Sequence, residues 1–178
     1  MRILVAITGA SGLEYGRRLV EVLRKAKGVD AKVVVSSGAK EVAKAEGGTL
    51  PKADYGEQDF SCPYASGSNP PDAMVVIPCS LKTLGEIANG VGNTLITRAA
   101  EVALKERKKL ILVVRETPYS LITIRNMERV TLAGGVILPA TPGFYGKPKK
   151  VQDMIDFVVA RALDHMGVGN TLTRRWKG

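Results

Sequence analysis

Polar and charged residues gather where apolar runs end. Ala73-Met74-Val75-Val76-Ile77 leads into a turn, Pro78-Cys79-Ser80-Leu81-Lys82-Thr83, and Leu110 to Val114 delivers Arg115-Glu116-Thr117-Pro118. Between them a helix-like stretch carries Arg98 and Lys105 at a spacing that puts both on one side. A third such place lies near the start, where the apolar run Arg2 to Ile7 opens into Thr8-Gly9-Ala10-Ser11-Gly12. Strand, glycine loop and helix together aim backbone N–H groups and a helix N-terminus at an anion, and Ser11 adds a hydroxyl. In open α/β sheets, ligands bind beyond the carboxyl ends of the strands. These residue types suit the binding of a phosphorylated small molecule.

A dinucleotide fingerprint fails on detail. It would need glycine where Tyr15 stands, and the next glycine is Gly16. The second apolar run, Ala31 to Val35, ends in Ser36-Ser37 rather than in an acidic residue that could hold a ribose. A hydroxyl pair there better suits a mononucleotide phosphate. Tyr145 and Lys149 imitate a dehydrogenase pair, but Pro148 between them disfavours the helix that would align them. His165 is the only histidine, and Cys62 and Cys79 have no metal-ligand spacing, so a histidine triad and a zinc site are nearly excluded by inventory. Both cysteines read as reduced thiols.

The positioning elements follow from periodicity. Strands are expected at 2–7, 31–35, 73–77, 110–114 and 136–138. Helices are expected at 13–27, 38–45, 81–89, 95–108, 120–133 and 151–166. Alanines at 99, 100 and 103 imply close approach of a neighbouring element. Residues 49–71, rich in Gly, Pro and Ser, form the longest irregular stretch and read as a binding loop or lid. Alternating strands and helices imply a three-layer α/β fold, Rossmann-like or flavodoxin-like, with a mainly parallel sheet covered by helices on both faces. At 178 residues the chain is expected to form a single domain over 1–178.

Composition narrows the class. Hydrophobic residues make up 45% and charged residues 24%, a globular profile without an apolar run of membrane-span length. The start resembles a signal peptide only superficially, so a cytoplasmic location is expected. Net charge is +9, which attracts anions. Aromatic content is only 5% and no nucleic-acid motif is present, so phosphorylated small molecules are favoured over nucleic acid.

The assembled motifs resemble the flavin prenyltransferases, the UbiX-like family within the wider group of flavin-containing decarboxylase-like flavoproteins. The resemblance runs nearly end to end and rests on Thr8-Gly9-Ala10-Ser11-Gly12, Ala65-Ser66-Gly67-Ser68, Pro78-Cys79-Ser80, Arg98-Ala99-Ala100, Leu104-Lys105-Glu106-Arg107, Arg115-Glu116-Thr117-Pro118 and Pro142-Gly143-Phe144-Tyr145. It implies a metal-independent transfer of a dimethylallyl group from dimethylallyl phosphate to N5 and C6 of reduced FMN. The product, prenylated FMN, would serve a separate UbiD-type decarboxylase. It also implies roles. Gly9, Ala10, Ser11, Ser36, Ser80, Leu81, Lys82, Thr83 and Arg98 would bind FMN. Lys105, Arg115, Tyr145 and Arg161 would hold the prenyl phosphate, and Glu46, Glu116 and Ser11 would act in catalysis. Trimers forming a dodecamer are implied, with sites at subunit interfaces. The family often places a tryptophan before Ala-Ser-Gly-Ser to shelter the prenyl cation; the nearest counterpart is Phe60, and Cys62-Pro63-Tyr64 replaces a more usual Ala-Pro-Pro.

Each feature alone has a plainer account. Arg98 and Lys105 would be surface charges, Arg115-Glu116 a strand-end ion pair, and Glu46 a helix end. Two other functions stand beside the transferase: a decarboxylase of cysteinyl peptides or phosphopantothenoylcysteine, which would need an active-site histidine, and a non-catalytic FMN-binding subunit, which would need no phosphate clamp.

Overall fold

The computed structural model describes residues 1–176. Strand β1 (Arg2–Ile7) is followed by α1 (Leu13–Lys25), β2 (Asp30–Val35), α2 (Ser37–Glu46) and a short β3 (Tyr55–Gly56). Then come β4 (Ala73–Cys79), α3 (Leu81–Ala88), α4 (Leu95–Lys105), β5 (Lys109–Val114), α5 (Leu121–Leu132), β6 (Val136–Ile137) and α6 (Val151–Met166). All strand pairs are parallel and the sheet order is β3-β2-β1-β4-β5-β6. This is the doubly wound order of the expected fold, and the direction of winding reverses between β1 and β4.

Two-sided burial explains the strand sequences. Every residue of β4 is buried, so its apolar run does not alternate with polar residues. In β1, Ile3, Val5 and Ile7 pack with Leu19 and Leu23 of α1 and Val159 and Leu163 of α6. Leu4 and Ala6 point to the other face, against Leu84, Ala99, Ala103 and Val130. Ala99, Ala100 and Ala103 are fully buried, as the small-residue pattern predicts.

The sequence boundaries shift where backbone geometry intervenes. Pro78 and Cys79 are not a turn: β4 runs through Cys79, which pairs with Val114 across a register shift after Val76. The helix expected to reach residue 108 stops at Lys105. Arg107 takes a left-handed φ of 54°, and Lys108 N–H turns back to the Ala103 carbonyl. The irregular stretch 49–71 contains β3 and a short 3-10 turn, Pro63–Ala65. β3 exists only because Tyr55 and Gly56 can pair with Val34 and Val35, a partnership with no local signal. Cys62 and Cys79 are free and buried, and burial pushes the Cys79 thiol well up. No helix among the described residues is long and apolar enough to cross a membrane, and none of their His, Cys, Asp and Glu side chains cluster as metal ligands.

One contact fixes how α1 sits on the sheet. A Cβ added at Gly16 would stand 2.4 Å from the Ile77 carbonyl oxygen, so only glycine lets the helix come this close. Gly16→Ala is expected to destabilise the fold by about 1–3 kcal/mol, the usual cost of overpacking. Urea denaturation measures it, and an unchanged midpoint would mean that α1 shifts freely on β4.

Candidate functional site

The site grows from the carboxyl ends of the two central strands. Thr8, just past β1, is buried. Its hydroxyl donates to the Pro78 carbonyl at 2.8 Å and accepts the Ser80 N–H at 2.9 Å. That pair of bonds locks the loop after β1 to the turn after β4. Ser80 then caps α3: its Oγ accepts the Thr83 N–H and donates to the Thr83 hydroxyl. Ser36 caps α2 in the same way, accepting the Ala39 N–H at 3.1 Å. At α1, Gly12 occupies the N-cap in left-handed geometry, and no side chain caps that end. The N-termini of α1, α2 and α3 therefore converge where the sheet's winding reverses, a place suited to an anion. A Cβ on Gly9 would lie 2.8 Å from the Gly38 carbonyl carbon, so the first two loops touch backbone to backbone.

Two cavities open here and share Gly9, Ser80 and Leu81 as a common wall. The first, about 260 Å³, is lined by hydroxyls and backbone, including Ser36, Ser37, Gly38, Lys82, Thr83 and Thr94. The carboxylates of Glu57 and Glu86 also reach it. Helix-end N–H groups and hydroxyls suit a phosphate, and carboxylates accept from the hydroxyls of a polyol. The donor set thus fits a phosphorylated sugar-alcohol chain such as that of FMN.

The second cavity, about 250 Å³, brings together Ala10, Ser11, Glu46, Arg115 and Glu116. Glu46 is the last residue of α2, which Gly47 ends in left-handed geometry. Arg115 Nε donates to the Ser11 carbonyl at 3.2 Å. Its terminal nitrogens have no protein partner among the described residues and remain available to an anion. Glu116 accepts the Thr117 N–H at 2.9 Å and forms no ion pair with Arg115, so the plain strand-end ion pair is not what the structure holds. Tyr15 lies close to Arg115; burial raises its hydroxyl above the ordinary phenol range, and the guanidinium offsets part of that.

The remaining predicted residues stand elsewhere in the protomer. Arg98 lines neither cavity; its Nε donates to the Ala65 carbonyl at 3.1 Å and it pairs with Glu101 at 2.9 Å. Lys105, on the same side of α4, pairs with Glu106 beside Gly67. Tyr145 lies over α6, edge-on to Phe157 and Trp176. Arg161, also on α6, pairs with Asp164 at 2.8 Å. Within one chain the four-residue clamp is therefore dispersed. Phe60 is exposed and lines neither cavity.

Sequence reasoning missed Thr8, Gly38, Glu57, Glu86 and Thr94. The Thr94-x-x-Thr97 cap was readable, since both side chains complete a capping box. Glu57 carried no signal: it reaches Ser37 N–H, at 3.0 Å, only because β3 joins the sheet edge.

Comparison with known proteins decides the family. The Flavoprotein family model matches residues 1–163. The flavin prenyltransferase UbiX of Thermoplasma acidophilum is 49% identical, with 99% of this chain and 100% of that protein aligned. The chain belongs to the UbiX-like flavin prenyltransferase family. The UbiX of Methanocaldococcus jannaschii is 46% identical over 99% of this chain and 98% of its own length. Among solved structures, AnUbiX in complex with FMN and dimethylallyl pyrophosphate superposes with a TM-score of 0.93 at 43% identity, covering 99% of this chain and 97% of that one. A dodecameric FMN-dependent UbiX-like decarboxylase from Escherichia coli gives 0.93 at 38% identity, with both chains fully covered. More distant flavoproteins, such as the FMN-binding protein AtHal3 at 20% identity and a TM-score of 0.58, share the fold.

In this UbiX-like chain the buried Thr8 hydroxyl ties the loop after β1 to the start of α3, beside a Thr8 N–H bond to the same Pro78 carbonyl at 3.2 Å. Thr8→Val keeps the shape but leaves the Ser80 N–H and a Pro78 lone pair without that partner, at an expected cost of roughly 1–3 kcal/mol. Chemical denaturation checks this; a variant as stable as the parent would mean that the two loops are held by other contacts.

Proposed function

We propose that this protein is a flavin prenyltransferase that joins the dimethylallyl group of dimethylallyl phosphate to N5 and C6 of reduced FMN. The prenylated FMN would then pass to a UbiD-type decarboxylase. The observation that carries this reading is the meeting of Glu46, Glu116, Ser11 and Arg115 in one cavity that shares a wall with a hydroxyl-lined, helix-capped anion site. The named activity of close relatives and the FMN and dimethylallyl pyrophosphate bound in AnUbiX support it.

The roles follow from chemistry. Bound FMN supplies the nucleophilic N5 and C6 positions. Gly9, Ala10, Ser36, Ser80, Leu81, Lys82 and Thr83 hold its phosphate and polyol chain, with Arg98 brought in as a further donor when the site fills. Breaking the allylic C–O bond releases inorganic phosphate, and Arg115 stabilises the developing negative charge. Lys105, Tyr145 and Arg161 complete that clamp. Because one chain leaves them dispersed, the clamp closes across a subunit interface. Glu46 and Glu116, with the Ser11 hydroxyl, move the protons displaced as the new ring closes.

The whole chain, 1–178, acts as one FMN-binding domain, of which 177–178 lie outside the described residues. A homo-oligomer of trimers forming a dodecamer fits the apolar side chains that α5 leaves bare: Leu121, Ile122, Ile124 and Leu132 are 50–81% exposed. The decarboxylase reading loses ground because the single histidine, His165, lies on α6 and lines neither cavity.

The direct test is mass spectrometry of the flavin after anaerobic incubation with reduced FMN and dimethylallyl phosphate. A flavin heavier by one isoprene unit is expected; unchanged FMN would end the proposal. In the same assay Glu46→Gln should keep FMN bound but slow product formation by about 10²-fold. Single-turnover rates equal to the parent's would remove Glu46 from the mechanism.

A further inference from the structure

We infer that Asp164 is a positioning residue for the prenyl-phosphate half of the site, setting both Arg161 and Tyr145 from one carboxylate. This rests on the reading above, in which those two residues bind the prenyl phosphate. Asp153, Phe157, Arg161 and Asp164 recur at spacings that place them along one side of α6. Of that side only Phe157 packs partly against the core; the buried residues of α6 are Ile155, Val158, Val159, Ala160, Ala162, Leu163 and Met166. What lies against it is the loop around Tyr145 and the segment that follows the helix. Asp153, Phe157, Tyr145 and Arg174 line a common cavity there, about 120 Å³ in volume.

Asp164 ties these pieces together. Arg175 grips both carboxylate oxygens at 2.7 Å, a two-pronged guanidinium–carboxylate pair. Arg161 Nη1 donates to Oδ2 at 2.8 Å, and Asn170 Nδ2 donates to Oδ1 at 3.1 Å. The carboxylate is therefore surrounded by donors from the helix and from two points of the following segment. Its side chain is 19% exposed, whereas those of Arg161 and Arg175 are 45% and 54% exposed. It also holds a pKa below the usual aspartate range, chiefly through the Arg175 hydrogen bond, so it stays ionised at neutral pH.

Two paths run from it. One is direct: a single bond to Nη1 fixes Arg161 while leaving its other N–H groups for an anion. The other runs through Arg175 to its neighbour Trp176. The Trp176 ring packs edge-on to Tyr145 with centroids 5.6 Å apart, and Tyr145 packs edge-on to Phe157 at 5.7 Å. Tyr145 is thus held between a helix residue and a tail residue that Asp164 anchors. A neutral side chain at 164 would lose the fork, release the tail and free both phosphate-binding groups together.

The protein carries its own reporter, because Trp176 is its only tryptophan. In the full-length, FMN-loaded enzyme, Asp164→Asn is expected to raise KM for dimethylallyl phosphate about tenfold or more, with kcat at saturation and FMN affinity little changed. Trp176 is already 73% exposed, so the readout is its mobility: emission anisotropy should fall as the ring leaves Tyr145. Asp164→Glu should recover part of both. If Asp164→Asn does not fold, Arg175→Gln leaves the Arg161 bond in place and should still move the anisotropy and KM. An active enzyme whose KM stays put while Trp176 is released overturns the inference and leaves the transferase reading intact. A KM rise matched by equal loss of FMN affinity also overturns it, as a general structural effect. A parent protein that makes no prenylated flavin sinks the transferase reading, and this inference with it.

Discussion

One buried residue, Thr8, joins the two strand ends on which the site is built. Thr8 bridges the Pro78 carbonyl and the Ser80 N–H at the point where the sheet changes its direction of winding. A parallel sheet leaves its strand ends as separate loops with unpaired backbone groups, and nothing in the ladder forces adjacent loops into register. The Thr8 hydroxyl supplies that register together with the Thr8 N–H, which donates to the Pro78 carbonyl at 3.2 Å. Gly9 against Gly38 supplies a second tie, by allowing two backbones to touch. Most groups that line the paired cavities hang from one of these loops or from the helices they open, while Glu57 follows β3, Thr94 and Ile96 come from the start of α4, and Arg115 and Glu116 follow β5.

The site divides chemically along the wall that its cavities share. One side offers hydroxyls, helix N-termini, Lys82 and two acceptor carboxylates, which suits a bound phosphate and polyol chain. The other offers Arg115, whose terminal nitrogens have no partner among the described residues, beside Glu46 and Glu116, none of them paired with each other. A charge left unpaired at a pocket costs little while it is hydrated and gains strength once a ligand displaces water. Arg98 and Lys105, by contrast, are each paired with a neighbouring carboxylate in the single chain. These exposed pairs are weak, so an incoming phosphate can compete for the same cations.

The C-terminal part of the chain shows a different economy. The buried side of α6 belongs to the core, and its other side holds a loop and a tail by a few polar and aromatic contacts. Such a periphery can be ordered or released at small free-energy cost, whereas the central sheet cannot.

Much of this was legible in the sequence because it depends on local rules. Unbroken apolar runs marked strands buried on two faces, 3.6-residue periodicity marked the helices, and Ser36 and Ser80 marked helix starts. The glycine loop at 9–12 and the charged residues after β5 announced an anion site at strand ends, and the ordered motifs identified the family. Other features needed the tertiary structure. The strand order, and so the winding reversal between β1 and β4, arises from long-range pairing that leaves no local trace. β3 and Glu57 take their places only once the edge of β2 exists. The Pro78-Cys79 pair looked like a turn because proline usually breaks a ladder, yet a bulge absorbs it. Glu46 and Arg115 are distant in sequence, and only the tertiary fold brings the end of α2 and the segment after β5 to one cavity. Sequence thus determined which elements form and which chemistry they carry; the meeting of those chemistries was decided by sheet order, because neighbouring in a parallel sheet is a property of the whole fold.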